Sequence, residues 1–216
     1  MVIIKLMGGL GNQMQQYALY KKFISLGTDA YLDTEWYSEH IESDVTEREL
    51  ELDIFDNAGY KTASHEMIER ITGKNSILGR LRSYFMLGRP NYICENSIYR
   101  PDIFDMDNVY LEGYWSVEKY YADIMPVLRD RFRFVPELRR RMKPEATDME
   151  HRILGEAYPC SVHIRRGDYL NAVNVKMFGG IATEAYYESA FDLIRSLHPK
   201  VCFFILERVR GIFLRH

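Results

Sequence analysis

The chain has 216 residues, is 47% hydrophobic and 27% charged, and carries a formal net charge of −3. That balance fits one large or two small globular domains and argues against a nucleic-acid binder, which needs a broad basic face. Its three cysteines, Cys94, Cys160 and Cys202, are far apart and form no CxxC pair, which fits a reducing cytoplasm better than a disulfide framework or a zinc site.

The apolar start, Met1 to Leu6, is too short for a signal h-region or a membrane span. Val2 to Leu6 instead reads as a buried, β-branched strand. It runs into Met7-Gly8-Gly9-Leu10-Gly11-Asn12-Gln13, after which Met14, Tyr17, Ala18, Phe23 and Ile24 predict a helix ended by Gly27. A strand, a glycine-rich loop and a helix N-terminus leave backbone N–H groups facing any bound anion. The loop is neither a Walker loop nor a G-x-G-x-x-G, so a purely structural tight turn is the competing reading. Asn12 and Gln13 add amide donors and acceptors beside it.

Ala30-Tyr31-Leu32 predicts a second strand, leading to Asp33, Thr34, Glu35 and Trp36. The acidic run from Asp33 to Asp56 reads as a solvated face, with Asp33 and Glu35 left open because they follow a strand end. Leu50 to Phe55 alternates like a strand or precedes one. Ser64 predicts an N-cap for a helix through Ile71. A further helical pattern covers 75–87, bounded by Gly88 and Pro90. Val109 to Trp115 predicts a strand with an aromatic end, and Glu118 to Phe132 an amphipathic helix. The Trp and Tyr cluster there reads as core, with sugar stacking as the alternative.

Asp105-Met106-Asp107 is a D-x-D, a pattern that can hold a metal on a nucleotide diphosphate. Asp-Asn runs before a strand are more often turns, and two carboxylates make a poor metal cage. Leu138-Arg139-Arg140-Arg141-Met142-Lys143 reads as an exposed face, with contact to an anionic membrane surface as the alternative.

A connector from Pro136 to Glu156 precedes a second unit that begins near Tyr158. Its strand Pro159-Cys160-Ser161-Val162 leads to His163-Ile164-Arg165-Arg166-Gly167-Asp168-Tyr169. Forked, permanently charged guanidiniums suit the paired oxygens of a phosphate or carboxylate. In open α/β sheets ligands sit outside the carboxyl ends of strands. The plainer reading is a turn in which Arg165 or Arg166 pairs with Asp168. Thr183 then caps a helix with Tyr187, Ala190, Phe191, Ile194 and Leu197 on its apolar side, and Val201 to Leu206 is the next buried strand. That is one βαβ unit of a parallel sheet.

Gly8-Gly9-Leu10-Gly11-Asn12-Gln13-Met14 with Gln16-Tyr17-Ala18 resembles the N-terminal signature of bacterial α-1,2-fucosyltransferases. His163-Ile164-Arg165-Arg166-Gly167-Asp168 resembles their H-x-R-R-x-D motif. Leu111-Glu112-Gly113-Tyr114-Trp115, Glu118-Lys119-Tyr120 and Phe178-Gly179-Gly180-Ile181 add to the likeness, which spans nearly the whole chain. It implies an α/β, GT-B-like fold of two facing Rossmann-like units: an acceptor-side domain over 1–150 and a GDP-fucose-binding domain over 158–216. It implies transfer of L-fucose from GDP-fucose to the 2-hydroxyl of a terminal galactose of a glycan acceptor, with inversion and no required metal. Localisation is expected in the cytoplasm, with peripheral contact at the inner membrane face as an option.

The same resemblance implies that Arg165 neutralises charge on the leaving diphosphate, that His163 and Arg166 position it, and that Asp168 orients an arginine or is structural. Gly9, Gly11 and Asn12 face the phosphates or the sugar. The general base stays open among Asp33, Glu35 and Asp168. Two departures stand out. Gln15 replaces the family's usual Phe, and after Leu206 the family continues with a Phe-Ser-Asp-Asp-like segment where this chain reads Glu207 to His216. The second unit is therefore expected to be incomplete, the chain poorly soluble or oligomeric and weak in GDP binding. The alternative function is a non-catalytic remnant that binds a glycan or nucleotide without turnover.

Overall fold

The computed structural model describes residues 1–38, 48–73, 91–96, 98–164 and 182–207. The helix predicted over 75–87, residues 39–47 of the acidic run and the Phe178-Gly179-Gly180 loop lie outside these residues. The chain divides into two units, Met1–Arg140 and Arg141–His216.

In the first unit, β1 (Val2–Lys5), α1 (Leu10–Ser25), β2 (Ala30–Asp33), α2 (His65–Thr72), β3 (Tyr92–Cys94) and β4 (Val109–Glu112) follow in order. The sheet runs β2-β1-β4-β3, and every pairing is parallel. Parallel strands are covered on both faces, which is why β1 is a continuous apolar run. Successive side chains alternate between faces. Val2, Ile4 and Leu6 pack with Tyr17, Leu19 and Phe23 of α1, whereas Ile3 packs with Ile68 and Ile71 of α2 and with Tyr110. Full burial of each such side chain contributes about 1.5–3 kcal/mol relative to exposure.

Local signals set the helix ends. The α1 helix stops where Gly27 N–H bonds the Ile24 carbonyl at 3.0 Å and Thr28 N–H bonds the Phe23 carbonyl at 3.0 Å, the paired bonds that close a Schellman end. Ser64 caps α2, its Oγ accepting from Met67 N–H at 3.3 Å.

Three expectations are corrected. The stretch Glu118 to Phe132 is not one helix: it holds two 3₁₀ turns, Glu118–Tyr120 and Ala122–Ile124, before α3 (Met125–Arg131). Pro126 explains this, because it lacks an N–H and is tolerated only in a first helical turn. Leu50 to Phe55 is not a strand. Leu52–Ile54 forms a 3₁₀ turn, and Phe55 makes an isolated antiparallel bridge to Phe134. The strand predicted over Val109 to Trp115 ends at Glu112, because Gly113 and Trp115 take positive φ of 157° and 54°. The Trp and Tyr cluster is core: Trp115 and Tyr120 are each 1% exposed, with ring centroids 5.5 Å apart. The basic cluster starts in α4 (Pro136–Arg140), where Arg140 pairs with Glu137 on an exposed face.

The second unit contains α5 (Pro144–Gly155), β5 (Pro159–Ile164), α6 (Glu184–Leu197) and β6 (Cys202–Glu207). Strands β5 and β6 pair in parallel from Pro159↔Cys202 to Ile164↔Glu207. Thr183 caps α6 through Tyr186 N–H at 3.2 Å, and Phe191 meets Phe203 edge-on at 4.8 Å. Leu197, expected on the apolar side, is 62% exposed in the last turn. Of the side chains described beyond Arg140, only Phe204 is buried. Both units are mixed α/β with parallel pairing, compatible with Rossmann-like construction. No described helix is long and apolar enough to cross a membrane.

Local stability follows buried contacts, so hydrogen exchange read by mass spectrometry is expected to find slow amides in β1, β4 and α1 and fast ones in β5, α6 and β6. Equal protection of the two units would contradict that distribution of stability.

Candidate functional site

The carboxyl ends of β1 and β4 lie side by side, since these strands are neighbours in the sheet. The loop after β1 turns at Gly8, whose φ is +81° and where a Cβ would come within 2.5 Å of Asn12 Nδ2. Only glycine fits such a conformation without strain. Gly9 is the N-cap of α1 in extended conformation, and its carbonyl accepts from Asn12 N–H at 2.9 Å and Gln13 N–H at 3.1 Å. No side chain caps this helix end. Gly11 is exposed with open space around its Cα, and Asn12 is half-buried. The Arg48 side chain covers Gly9, with its Nε 3.8 Å from where a Cβ would stand.

Two fully buried glutamines hold this loop. Gln16 Oε1 accepts from Met7 N–H at 3.0 Å, and its Nε2 donates to the Gly113 carbonyl at 2.9 Å. It therefore ties the loop after β1 to the loop after β4. Gln13 Nε2 donates to the carbonyls of Gly8 at 3.1 Å and Glu49 at 2.8 Å, while its Oε1 accepts from Glu51 N–H at 2.9 Å. Tyr37 Oη donates to the Gly8 carbonyl at 3.0 Å. Burial pushes the Tyr37 hydroxyl pKa well up, and the neighbouring Glu51 and Tyr114 add to the rise.

The charged residues along the same sheet edge are largely paired. Lys5 Nζ lies 3.0 Å from Glu112 Oε1, and Tyr92 Oη donates to the other oxygen of Glu112. Asp33 is buried; it accepts from Tyr110 Oη at 2.5 Å and from Glu35 N–H at 2.8 Å. Both of its oxygens accept hydrogen bonds at the strand end. Glu35 Oε1 lies 2.9 Å from His65 Nδ1, and Glu69 Oε1 lies 3.3 Å from His65 Nε2. The Glu35 hydrogen bond, with the charges of Glu35 and Glu69, holds the His65 pKa above 6.5.

Beyond β4, Glu95 Oε2 accepts from Tyr114 N–H at 2.8 Å and Trp115 N–H at 2.7 Å. Asp107 of the D-x-D accepts from the Met1 ammonium and from Asn108 N–H and Nδ2, as in a turn. Among the described residues no group of three His, Cys, Asp or Glu side chains is placed to share a metal ion.

In the second unit, His163 is the next-to-last residue of β5, opposite Leu206 of β6 and exposed. Arg165, Arg166 and Asp168 lie outside the described residues. The structure thus brings Gly9, Gly11 and Asn12 together at one turn and sets His163 near a strand end. Sequence reasoning named Gln16 and Glu112 only as members of motifs and missed the Gln16 bridge, Glu95 and the Lys5–Glu112 pair. The last had a local signal, since each charge ends an apolar strand run; Glu95 had none.

The chain is similar to an Escherichia coli protein named alpha-1,2-colitosyltransferase, with 26% identity over 212 residues covering 94% of this chain and 67% of that protein. No protein-family model and no solved structure matches the chain. The similarity supports a glycosyltransferase relationship.

Replacing Gln16 by Leu removes two part-buried hydrogen bonds to backbone, each contributing about 0.5–1.5 kcal/mol net. Urea denaturation of Gln16→Leu is expected to show a loss of about 1–3 kcal/mol by the same reckoning; a loss near zero would show that the two loops do not depend on this amide. For His65, a folded pKa above the ordinary value means that its ion pairs add stability fully at pH below 6.5 and lose it as pH rises through the folded value. Proton NMR titration should place His65 above 6.5 and Glu35→Gln should lower it; an unmoved value in the variant would rule out Glu35 as the main cause.

Proposed function

We propose that the chain transfers L-fucose from GDP-fucose to the 2-hydroxyl of a terminal galactose, with inversion. The observation that carries the reading is the similarity to an α-1,2-glycosyltransferase over 94% of the chain. The resemblance of both the glycine loop and the His163–Asp168 motif to α-1,2-fucosyltransferases supports it. A GT-B-like pairing of two Rossmann-like units belongs to the same reading, the first taking the acceptor and the second the donor.

The reaction is a single displacement at the fucose anomeric carbon. The C–O bond to the β-phosphate breaks, the galactose 2-oxygen bonds to the carbon from the opposite face, and the 2-hydroxyl proton leaves to a base. Negative charge gathers on the departing GDP, so a fixed cation there lowers the barrier most. Arg165 supplies that cation. His163 and Arg166 position the diphosphate, and Asp168 orients an arginine. Gly9, Gly11 and Asn12 offer backbone and amide groups to the donor. The base stays open among Asp33, Glu35 and Asp168; Asp33 accepts from Tyr110 and the Glu35 N–H, and Glu35 pairs with His65.

No metal enters this scheme. Arginine supplies the positive charge that a divalent ion supplies elsewhere, and Asp107 is already held by the Met1 ammonium and Asn108. A second reading keeps the chemistry and changes the donor: the name of the E. coli relative favours colitose as the transferred sugar.

The test is a mass-spectrometric transfer assay with the full chain, offering fucosyl and colitosyl nucleotide donors to a panel of galactosides, with and without chelator. Product from GDP-fucose that survives chelator is expected. Product only from the colitosyl donor moves the assignment to the second reading. Donor binding with no product would favour a non-catalytic binding protein. Strict metal dependence, abolished in Asp107→Ala, would overturn the metal-free scheme. Arg165→Ala should lower turnover by about 3 kcal/mol of barrier or more, and Arg165→Lys should restore little because Lys lacks the fork. Near-normal rates in both variants would remove Arg165 from the chemistry.

A further inference from the structure

The turn that follows β4 is costly to hold. Gly113 has a φ of 157° and Trp115, a bulky residue, has a φ of 54°. A Cβ at Gly113 would come within 2.3 Å of Glu95 Cβ. The indole Nε1 of Trp115 and Oε1 of Glu95 are buried without a hydrogen-bond partner among the described residues. Left-handed backbone at a bulky residue costs on the order of 1–3 kcal/mol, and unsatisfied buried polar atoms add to that. Three hydrogen bonds nevertheless lock the turn: Gln16 to the Gly113 carbonyl, and the Tyr114 and Trp115 N–H groups to Glu95.

What the turn achieves is the display of one side chain. Trp115 goes into the core at 1% exposed, while Tyr114 beside it stays 46% exposed. Tyr114 stands just beyond the carboxyl end of β4, the sheet edge where open α/β sheets take ligands. The glycine loop after β1 and the aromatic pair Trp36 and Tyr37 after β2 share this edge; the rings of that pair are 4.9 Å apart at 83°. A phenol on a rigid backbone offers an apolar face and a polar tip with few torsions to freeze on binding. Such a face suits the C–H side of a pyranose.

We propose that Tyr114 is the platform on which the acceptor sugar stacks, and that the Glu95 clamp exists to aim it. This rests on the reading of the chain as a galactoside glycosyltransferase and adds the residue that sets acceptor affinity. A galactose, with C3, C4 and C5 hydrogens on one face, stacks there; an epimer with an equatorial 4-hydroxyl loses that continuous face.

The test is steady-state kinetics on the full chain with GDP-fucose and N-acetyllactosamine, comparing Tyr114→Ala and Tyr114→Phe. The expected result is an acceptor KM raised tenfold or more in Tyr114→Ala, near-wild-type in Tyr114→Phe, with the donor KM unchanged in both. A raised donor KM, or an unchanged acceptor KM, would overturn the proposal. Saturation-transfer NMR with N-acetyllactosamine alone separates this from failure of the transferase reading. If no turnover is found, a galactose-ring signal present with the wild type and lost in Tyr114→Ala still supports the platform. Signals equal in the two proteins, or absent from the wild type, refute it.

Discussion

One buried amide sets the geometry of the functional edge of the first unit. Gln16 sits on α1, fully buried, and bonds at both ends to backbone: Met7 after β1 and Gly113 after β4. Neither backbone group can reach another strand there, because both chains have left the sheet. Without the amide each would be a part-buried polar group without this partner, and loss of such a bond is costly. Gln13 extends the same device to the segment at Glu49 and Glu51. Gly8 and Gly113 both take positive φ, and a Cβ would meet Asn12 at the first and Glu95 at the second.

Much of the framework was legible because its signals are local. The apolar run of β1, the glycine loop, the Ser64 and Thr183 caps and the stop at Gly27 are each written within a few residues of where they act. The stretch from Glu118 to Phe132 shows where periodicity misleads. Tyr120, Tyr121 and Leu128 are buried as a helical pattern requires, yet Pro126 confines the helix to the part that follows it. The burial pattern was right and the backbone was wrong. The Glu95 clamp was not legible at all, because it joins the end of β3 to the turn after β4 and nothing local in either segment announces the other.

Burial also separates residues that look alike in the sequence. Tyr114, Trp115, Tyr120 and Tyr121 form one aromatic string, and a core reading suits all but the first. Backbone sign decides it. A positive φ at Trp115 turns its ring inward and leaves Tyr114 outside. Asp33 and Glu35 divide in the same way. The first has its oxygens taken by Tyr110 and by the Glu35 amide, while the second pairs with an exposed histidine.

These pairings bear on what the edge can bind. Lys5 is matched by Glu112, His65 by Glu35 and Glu69, and Asp33 by hydrogen-bond donors. Among the described residues the charged groups named at this edge are therefore paired. What the edge does present is neutral: aromatic faces at Trp36, Tyr37 and Tyr114, the amide of Asn12, and the backbone of an α1 N-terminus without a side-chain cap. Neutral hydroxyl-rich ligands are recognised by such groups, whereas diphosphates call for forked cations. Arg165 and Arg166 belong to the other unit. The proposed division of labour, acceptor sugar on the first unit and nucleotide diphosphate at the arginine motif of the second, is compatible with these neutral and paired groups.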